Sequence, residues 1–280
     1  MRHQIPVRSR LAVLLLAAGV ILPAGCGRQE AATNMTISTL EPISEQGLKK
    51  LSTKKIFFGH QSVGHDIVQG VGDVLKQYPG VGMRVERFTG NDVLAAPALA
   101  YTQVGRNSDP ESKIRDFAAR VRGGVGERAD IAGFKFCYAD VERDTDARKL
   151  FETYKAAMAE LAREFPHTRF LHFTVPLKST SLGWKAQVKK MLGRRHPFSA
   201  DNVRRQEFNE LMRREYAGRD SFFDLAAVEA TDASGKPSFD TVDGMIVPSM
   251  ASEYTYDTGH LNERGRKYVA ERFLAVLASL

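Results

Sequence analysis

Short apolar stretches alternate along this chain with longer stretches whose apolar residues recur at helical spacing, and that alternation limits the fold more than any other feature. Lys55 to Phe58 reads as a short strand running into Gly59, and Val63 to Tyr78 carries Ile67, Val71, Val74 and Leu75 on one helical face before Pro79-Gly80. Met83 to Phe88 alternates like a strand, residues 89 to 109 read as a long irregular loop, and Pro110 opens a helix to about Arg122. Ala129 to Tyr138 is an apolar run of the buried-strand type. A long amphipathic helix follows from Asp146 to Phe165, then a strand from Arg169 to Thr174 and a second long loop from Val175 to Ala200. Asp201 to Tyr216 is helical, Ser221 to Leu225 is a strand, and Leu261 to Ser279 closes the chain as a helix. Five strands separated by helices predict an α/β fold around a parallel sheet, because each parallel crossover needs a dozen or more residues, usually helical. Sheets of this kind bind ligands outside the carboxyl ends of their strands.

The first residues have a different character. Arg2, Arg8 and Arg10 precede the apolar run Leu11 to Leu22, which is long enough for a signal peptide and too short for a stable bilayer-spanning helix. The run ends in Leu22-Pro23-Ala24-Gly25-Cys26, which resembles a bacterial lipobox, with Pro23 where such boxes more usually carry Leu. The reading is a lipoprotein signal peptide over 1–25, lipid on the Cys26 thiol, a polar tether over 26–44 and one domain over 45–280. The expected location is the bacterial cell envelope, on the periplasmic face of the outer membrane, held there by acyl chains.

Removing residues 1–25 takes away three arginines and no acid, so the formal charge falls from +7 to +4. No long Lys/Arg block remains and no aromatics interleave with the basic residues, so nucleic acid is not an expected partner. A composition that is 43% hydrophobic supplies a core for one domain, expected as a monomer. With Cys26 taken by lipid, Cys137 stands alone in an apolar run and reads as a buried small hydrophobe.

Two clusters carry chemistry. In Gly59-His60-Gln61-Ser62-Val63-Gly64-His65-Asp66 a buried strand delivers the chain to a turn, and a helix begins at or just after Ser62. A serine there has its N–H at a helix N-terminus, where partial positive charge favours an oxyanion; the plainer alternative is a helix cap. In Tyr256-Asp257-Thr258-Gly259-His260-Leu261-Asn262, an Asp and a His three apart enter the last helix, so the carboxylate can fix the imidazole tautomer. Neither cluster is specific alone; an early strand-end serine with a late Asp-x-x-His is. A metal site built on His60, His65, Asp66, Asp257 and His260 matches no common zinc spacing, and neither metal nor other cofactor is expected. His172 alternates within a strand and reads as structural, and Trp184 as a hydrophobic plug or a sugar-stacking platform.

From residue 54 to 280 the sequence resembles the SGNH/GDSL hydrolase superfamily, on the strand-end block around Ser62 and on Asp257-x-x-His260-Leu261-Asn262 with Gly265 after it. The resemblance implies a three-layer α/β/α sandwich with a flavodoxin-like five-stranded parallel sheet. It implies Ser62 as nucleophile, His260 as base and then acid, and Asp257 as its orienting carboxylate. Gly-His-Gln-Ser departs from the family's Gly-Asp-Ser. The family's Gly-x-Asn-Asp after the third strand is replaced by Cys137-Tyr138-Ala139-Asp140, so its oxyanion asparagine is absent. Gly90-Asn91-Asp92 and Gly105-Arg106-Asn107 are the candidates to compensate, with Gly105 and Asn107 preferred beside the Ser62 N–H. His60 and Asp140 are expected to line the pocket. The implied activity is hydrolysis of acyl esters on a small molecule or a polysaccharide. The alternatives are a polysaccharide O-acetyltransferase and a non-catalytic glycan-binding or assembly lipoprotein.

Overall fold

The strand Lys55–His60 (β1) is buried at every position after the first, which only a strand covered on both faces can be. In the computed structural model, which describes Met1 and residues 41–90, 94–180 and 198–280, β1 lies inside a six-stranded sheet. Its partners are Val85–Arg87 (β2), Ala98–Gln103 (β3), Ile131–Phe134 (β4), Arg169–Phe173 (β5) and Phe222–Phe223 (β6). The order is β2-β3-β1-β4-β5-β6 and every pairing is parallel. Ile56 pairs with Leu99 on one side and Ile131 on the other.

Side chains of β1 alternate between two cores. Ile56 and Phe58 face a layer built on Glu45–Leu51 (α1), Val63–Leu75 (α2) and the closing helix Glu263–Ser279. Phe57 faces the opposite layer, built on Pro110–Arg120 (α3), Ala147–Glu164 (α4) and Ser199–Tyr216 (α5). Helices on both faces of a parallel sheet make the expected three-layer sandwich. Local chemistry sets where several helices begin. Asp109 accepts the Ser112 N–H ahead of Pro110, Asp146 accepts that of Lys149, and Asn262 accepts that of Gly265.

The count of five strands is corrected to six. The missing strand, β3, falls in the stretch read as irregular loop. Its first three residues, Ala98-Leu99-Ala100, follow Pro97, and alanine has little intrinsic strand preference. Hydrogen-bonded neighbours on both sides override that weak signal. Also unforeseen were α1, the short helix Leu225–Glu229 (α6), and an antiparallel hairpin of Phe239–Val242 (β7) and Met245–Pro248 (β8). The closing helix is α7. All described residues but Met1 belong to one compact unit within 37–280. The expected leader, Cys26, most of the tether, Asn91, Asp92 and Trp184 lie outside the described residues. No helix among the described residues is long and apolar enough to cross a membrane.

Candidate active site

Ser62 stands between the carboxyl end of β1 and the first turn of α2. Its backbone is at φ 46°, ψ −111°, a left-handed conformation that costs a non-glycine residue about 1–3 kcal/mol and persists where surrounding structure imposes it. What imposes it is close packing of strand on helix. A Cβ at Gly64 would lie 2.3 Å from the Cβ of His60, so only glycine lets the turn close so tightly. The hydroxyl makes no capping bond to α2, which removes the plain helix-cap reading. Instead Ser62 Oγ lies 2.7 Å from His260 Nε2. The Ser62 N–H has no acceptor among the described residues.

His260 reaches Ser62 from the loop between the hairpin and α7. Its Nδ1 is 2.6 Å from Asp257 Oδ2, while Asp257 Oδ1 accepts the backbone N–H groups of Gly259 (2.9 Å) and His260 (2.7 Å). Partial burial pushes the Asp257 carboxyl up, but these hydrogen bonds outweigh it and hold the group below the usual carboxylate range. An ionised Asp257 on Nδ1 keeps the proton there and leaves Nε2 to accept from Ser62. Two further bonds hold the loop. Asp66 Oδ2 accepts the Leu261 N–H at 3.0 Å, and the Thr258 carbonyl accepts the Ser179 N–H at 2.8 Å. Such a row can pass a proton from a hydroxyl to an imidazole as the hydroxyl attacks an electrophile.

Two aromatic residues that the sequence did not single out complete the surroundings. Tyr256, well exposed, lies nearly parallel to the His260 ring with centroids 6.4 Å apart. Tyr138, half-buried after β4, meets the same ring edge-on at 5.9 Å, and burial raises the pKa of its phenol while the Ser62 hydroxyl lowers it by less. Position was the available signal for Tyr138, because it follows the strand next to β1. For Ser62 it was the spacing His60-x-Ser62-x-Gly64, since a small residue two places beyond a serine marks tight strand–helix turns.

The other predicted site residues do different work. Gly105 does not offer its N–H to Ser62; it donates to Asp116 Oδ2 at 2.9 Å, and its carbonyl accepts from Gln61 Nε2. Asn107 is exposed, and its side-chain oxygen accepts from Lys113 Nζ at 2.9 Å. Neither makes a hydrogen bond with Ser62 or His260 among the described residues. Asp140 is buried in an ion pair with Lys113 and accepts the N–H groups of Cys137 (2.6 Å) and Ser108 (2.9 Å), so it orders both neighbouring loops. His60 is likewise buried, flanked by the rings of Phe58, Tyr101 and His65. Burial, helped by the Lys135 and His65 charges, lowers its pKa to about 3, so it is a neutral packing ring. Buried imidazoles carry no charge without a partner, and sequence alone did not reveal that burial.

His172 is structural. It stacks on Tyr216 at 3.6 Å and bonds the Tyr154 hydroxyl at 2.8 Å. Cys137 is buried and unpaired. Lys135, packed against Gly64, and Glu229, which accepts the Leu177 N–H, are fully buried ionisable groups. Burial lowers the Lys135 ammonium and raises the Glu229 carboxyl to about 8. No group of three or more His, Cys, Asp or Glu side chains among the described residues is arranged to hold a metal ion.

No family model matches the chain, and no curated protein matches it. Solved structures similar to it include one described as a GDSL-like lipase from Parabacteroides merdae, at 12% identity and a TM-score of 0.44, covering 81% of this chain and 99% of that one. An acetyl xylan esterase is similar at 17% identity and a TM-score of 0.40, covering 79% and 98%. The periplasmic domain of a lipopolysaccharide acetyltransferase from Salmonella ser. Paratyphi A is similar at 10% identity and a TM-score of 0.42, covering 78% and 81%. The likeness is one of architecture and stops there.

Proposed function

We propose that this chain is a serine esterase or acyltransferase of the SGNH type that works on acyl esters at the bacterial cell envelope. The observation that carries the reading is the row Asp257–His260–Ser62, with both bonds of the imidazole at 2.6–2.7 Å. Ser62 Oγ attacks the ester carbonyl carbon as its proton passes to His260 Nε2, and the carbonyl π electrons move onto oxygen. The Ser62 N–H at the start of α2 faces that charge with the helix dipole behind it. Collapse of the intermediate expels the alcohol, which takes the proton from His260 and leaves Ser62 acylated. Water or a sugar hydroxyl then attacks the acyl group by the same route in reverse, giving hydrolysis or transfer. Asp257 stays ionised throughout and stabilises the imidazolium.

The test is hydrolysis of p-nitrophenyl acetate and labelling by a fluorophosphonate probe. Wild-type protein labels and turns over; Ser62→Ala does neither. Wild-type activity in Ser62→Ala, or no labelling of a folded wild-type preparation, counts against the reading. Anchoring through Cys26 rests on the lipobox-like segment. Its check is incorporation of labelled palmitate in cells, lost in Cys26→Ser; incorporation that survives the substitution overturns it.

A further inference from the structure

The Gly105 N–H is committed to Asp116, and Asn107 makes no hydrogen bond with Ser62 or His260 among the described residues, so the negative oxygen formed at Ser62 lacks the side-chain donor that such sites need. The carboxyl end of β4 supplies a different group at that place. Tyr138 opens a one-turn 3-10 segment, 138–140, whose backbone is pinned from two sides: Cys137 donates to Asp140, and Arg205 Nε donates to the Tyr138 carbonyl at 3.0 Å. The ring stands edge-on to His260. Room for it exists because residue 259 is glycine; a Cβ there would lie 2.9 Å from Cε1 and Cζ of the phenol and 3.1 Å from its oxygen. The Ser62 hydroxyl is near enough to act on the phenol, lowering its pKa against the larger upward push of burial.

We propose that Tyr138 is a further catalytic residue, its phenol O–H donating to the oxygen that becomes negative when Ser62 attacks an acyl carbonyl. The inference rests on the serine-nucleophile reading above and adds the missing donor to it. The phenol donates a hydrogen bond and keeps its proton; the only proton transferred in the addition step runs from Ser62 Oγ to His260 Nε2. Two cations sharpen the donor. Lys178 Nζ lies 4.9 Å from the ring centroid, and Arg205 Cζ lies 5.9 Å from it, so the ring's electrons are drawn away from the O–H. Burial raises the Tyr138 pKa, which keeps the hydroxyl protonated at neutral pH. A phenol from the strand next to β1 thus does the work that a side-chain amide does elsewhere.

Tyr138→Phe keeps the ring, both cations and the contact with His260, and removes only the donor. In the purified full-length protein with p-nitrophenyl acetate, its kcat is expected to fall about 10²-fold with KM within about twofold, the signature of a bond made in the transition state. Affinity for phenylboronic acid, which places a tetrahedral oxygen at the same point, falls in parallel. A Tyr138→Phe variant within about threefold of wild type in both readouts, with Ser62→Ala inactive, overturns the role of Tyr138 and leaves the nucleophile standing. Wild-type turnover by Ser62→Ala overturns both. If Tyr138→Phe is unfolded by circular dichroism, Tyr138→Gln is compared with Tyr138→Leu. The returned N–H donor then yields at least about tenfold more kcat if the inference holds, and equal rates overturn it.

Discussion

The carboxylate of Asp66, one turn into α2 from Ser62, accepts the backbone N–H of Leu261 at 3.0 Å and so joins the helix that follows the serine to the residue that follows His260. The two halves of the hydrogen-bonded row are 198 positions apart in sequence, and this bond is their clamp. Burial pushes the Asp66 carboxyl up, and the Leu261 bond with the nearby His260 charge offsets that only in part. Asp66→Ala therefore leaves a buried N–H without a partner. It is expected to lower stability by about 1–3 kcal/mol in urea unfolding and to cost activity by loosening the His260 loop. Asp66→Asn keeps an acceptor and removes the desolvated charge, so its unfolding midpoint is expected to stay close to wild type.

The backbone of Ser62 makes a second prediction, in which activity and stability part company. At φ 46° a Cβ is strained, and Ser62→Ala keeps that Cβ while Ser62→Gly removes it. Both variants are expected to be inactive. Ser62→Gly is expected to be more stable than Ser62→Ala by about 1 kcal/mol, after the greater freedom of glycine in the unfolded chain is discounted. Paired denaturation curves decide it, and equal stability would mean that the turn carries no strain.

How much of this was legible in the sequence follows from what each signal depends on. The strand and helix order, the sandwich and the pairing of Ser62 with Asp257 and His260 were readable because they rest on periodicity and local spacing. β3 was hidden because alanines after a proline look like loop until two neighbours claim them. Gly105 and Asn107 were placed by their proximity in sequence. Their partners, Asp116 and Lys113, sit on the next helix, where Asp116 takes the Gly105 N–H and Lys113 donates to the Asn107 side-chain oxygen. His60 and Asp140 stand at the strand ends where they were expected, and that both are buried there was not legible, since burial is a tertiary property.

Asp257 gives a prediction about pH. Its hydrogen bonds to the Gly259 and His260 N–H groups and to the imidazole hold the folded carboxyl below its usual value. A lowered folded pKa means that the stabilisation is present at neutral pH and is lost only as pH falls through that lowered value. Asp257→Asn is expected to lower kcat by about 10²–10⁴, because an amide at Nδ1 no longer fixes the tautomer. The melting-temperature gap between wild type and Asp257→Asn is expected to be widest near neutrality and to close in acid. A gap that widens on acidification would contradict the hydrogen bonding described.

Glu229 carries the opposite sign. It is fully buried on α6; Oε2 accepts the Leu177 N–H at 2.7 Å, and Oε1 has no partner among the described residues. Burial raises its pKa from 4.5 to about 8, and the Leu177 bond with the charges of Lys135 and Arg205 offsets only part of that. Between those two values the folded chain keeps a proton that the unfolded chain releases. Stability is therefore fully present below the lower value and falls as pH rises through the upper one. Glu229→Gln puts a neutral amide in the same place and removes the dependence. Melting temperatures of wild type are expected to fall relative to Glu229→Gln from about pH 5 to about pH 8 and to run parallel above about pH 9. If wild type instead gained on the variant over that range, Glu229 would be an ionised partner of Lys135 rather than a neutral acid.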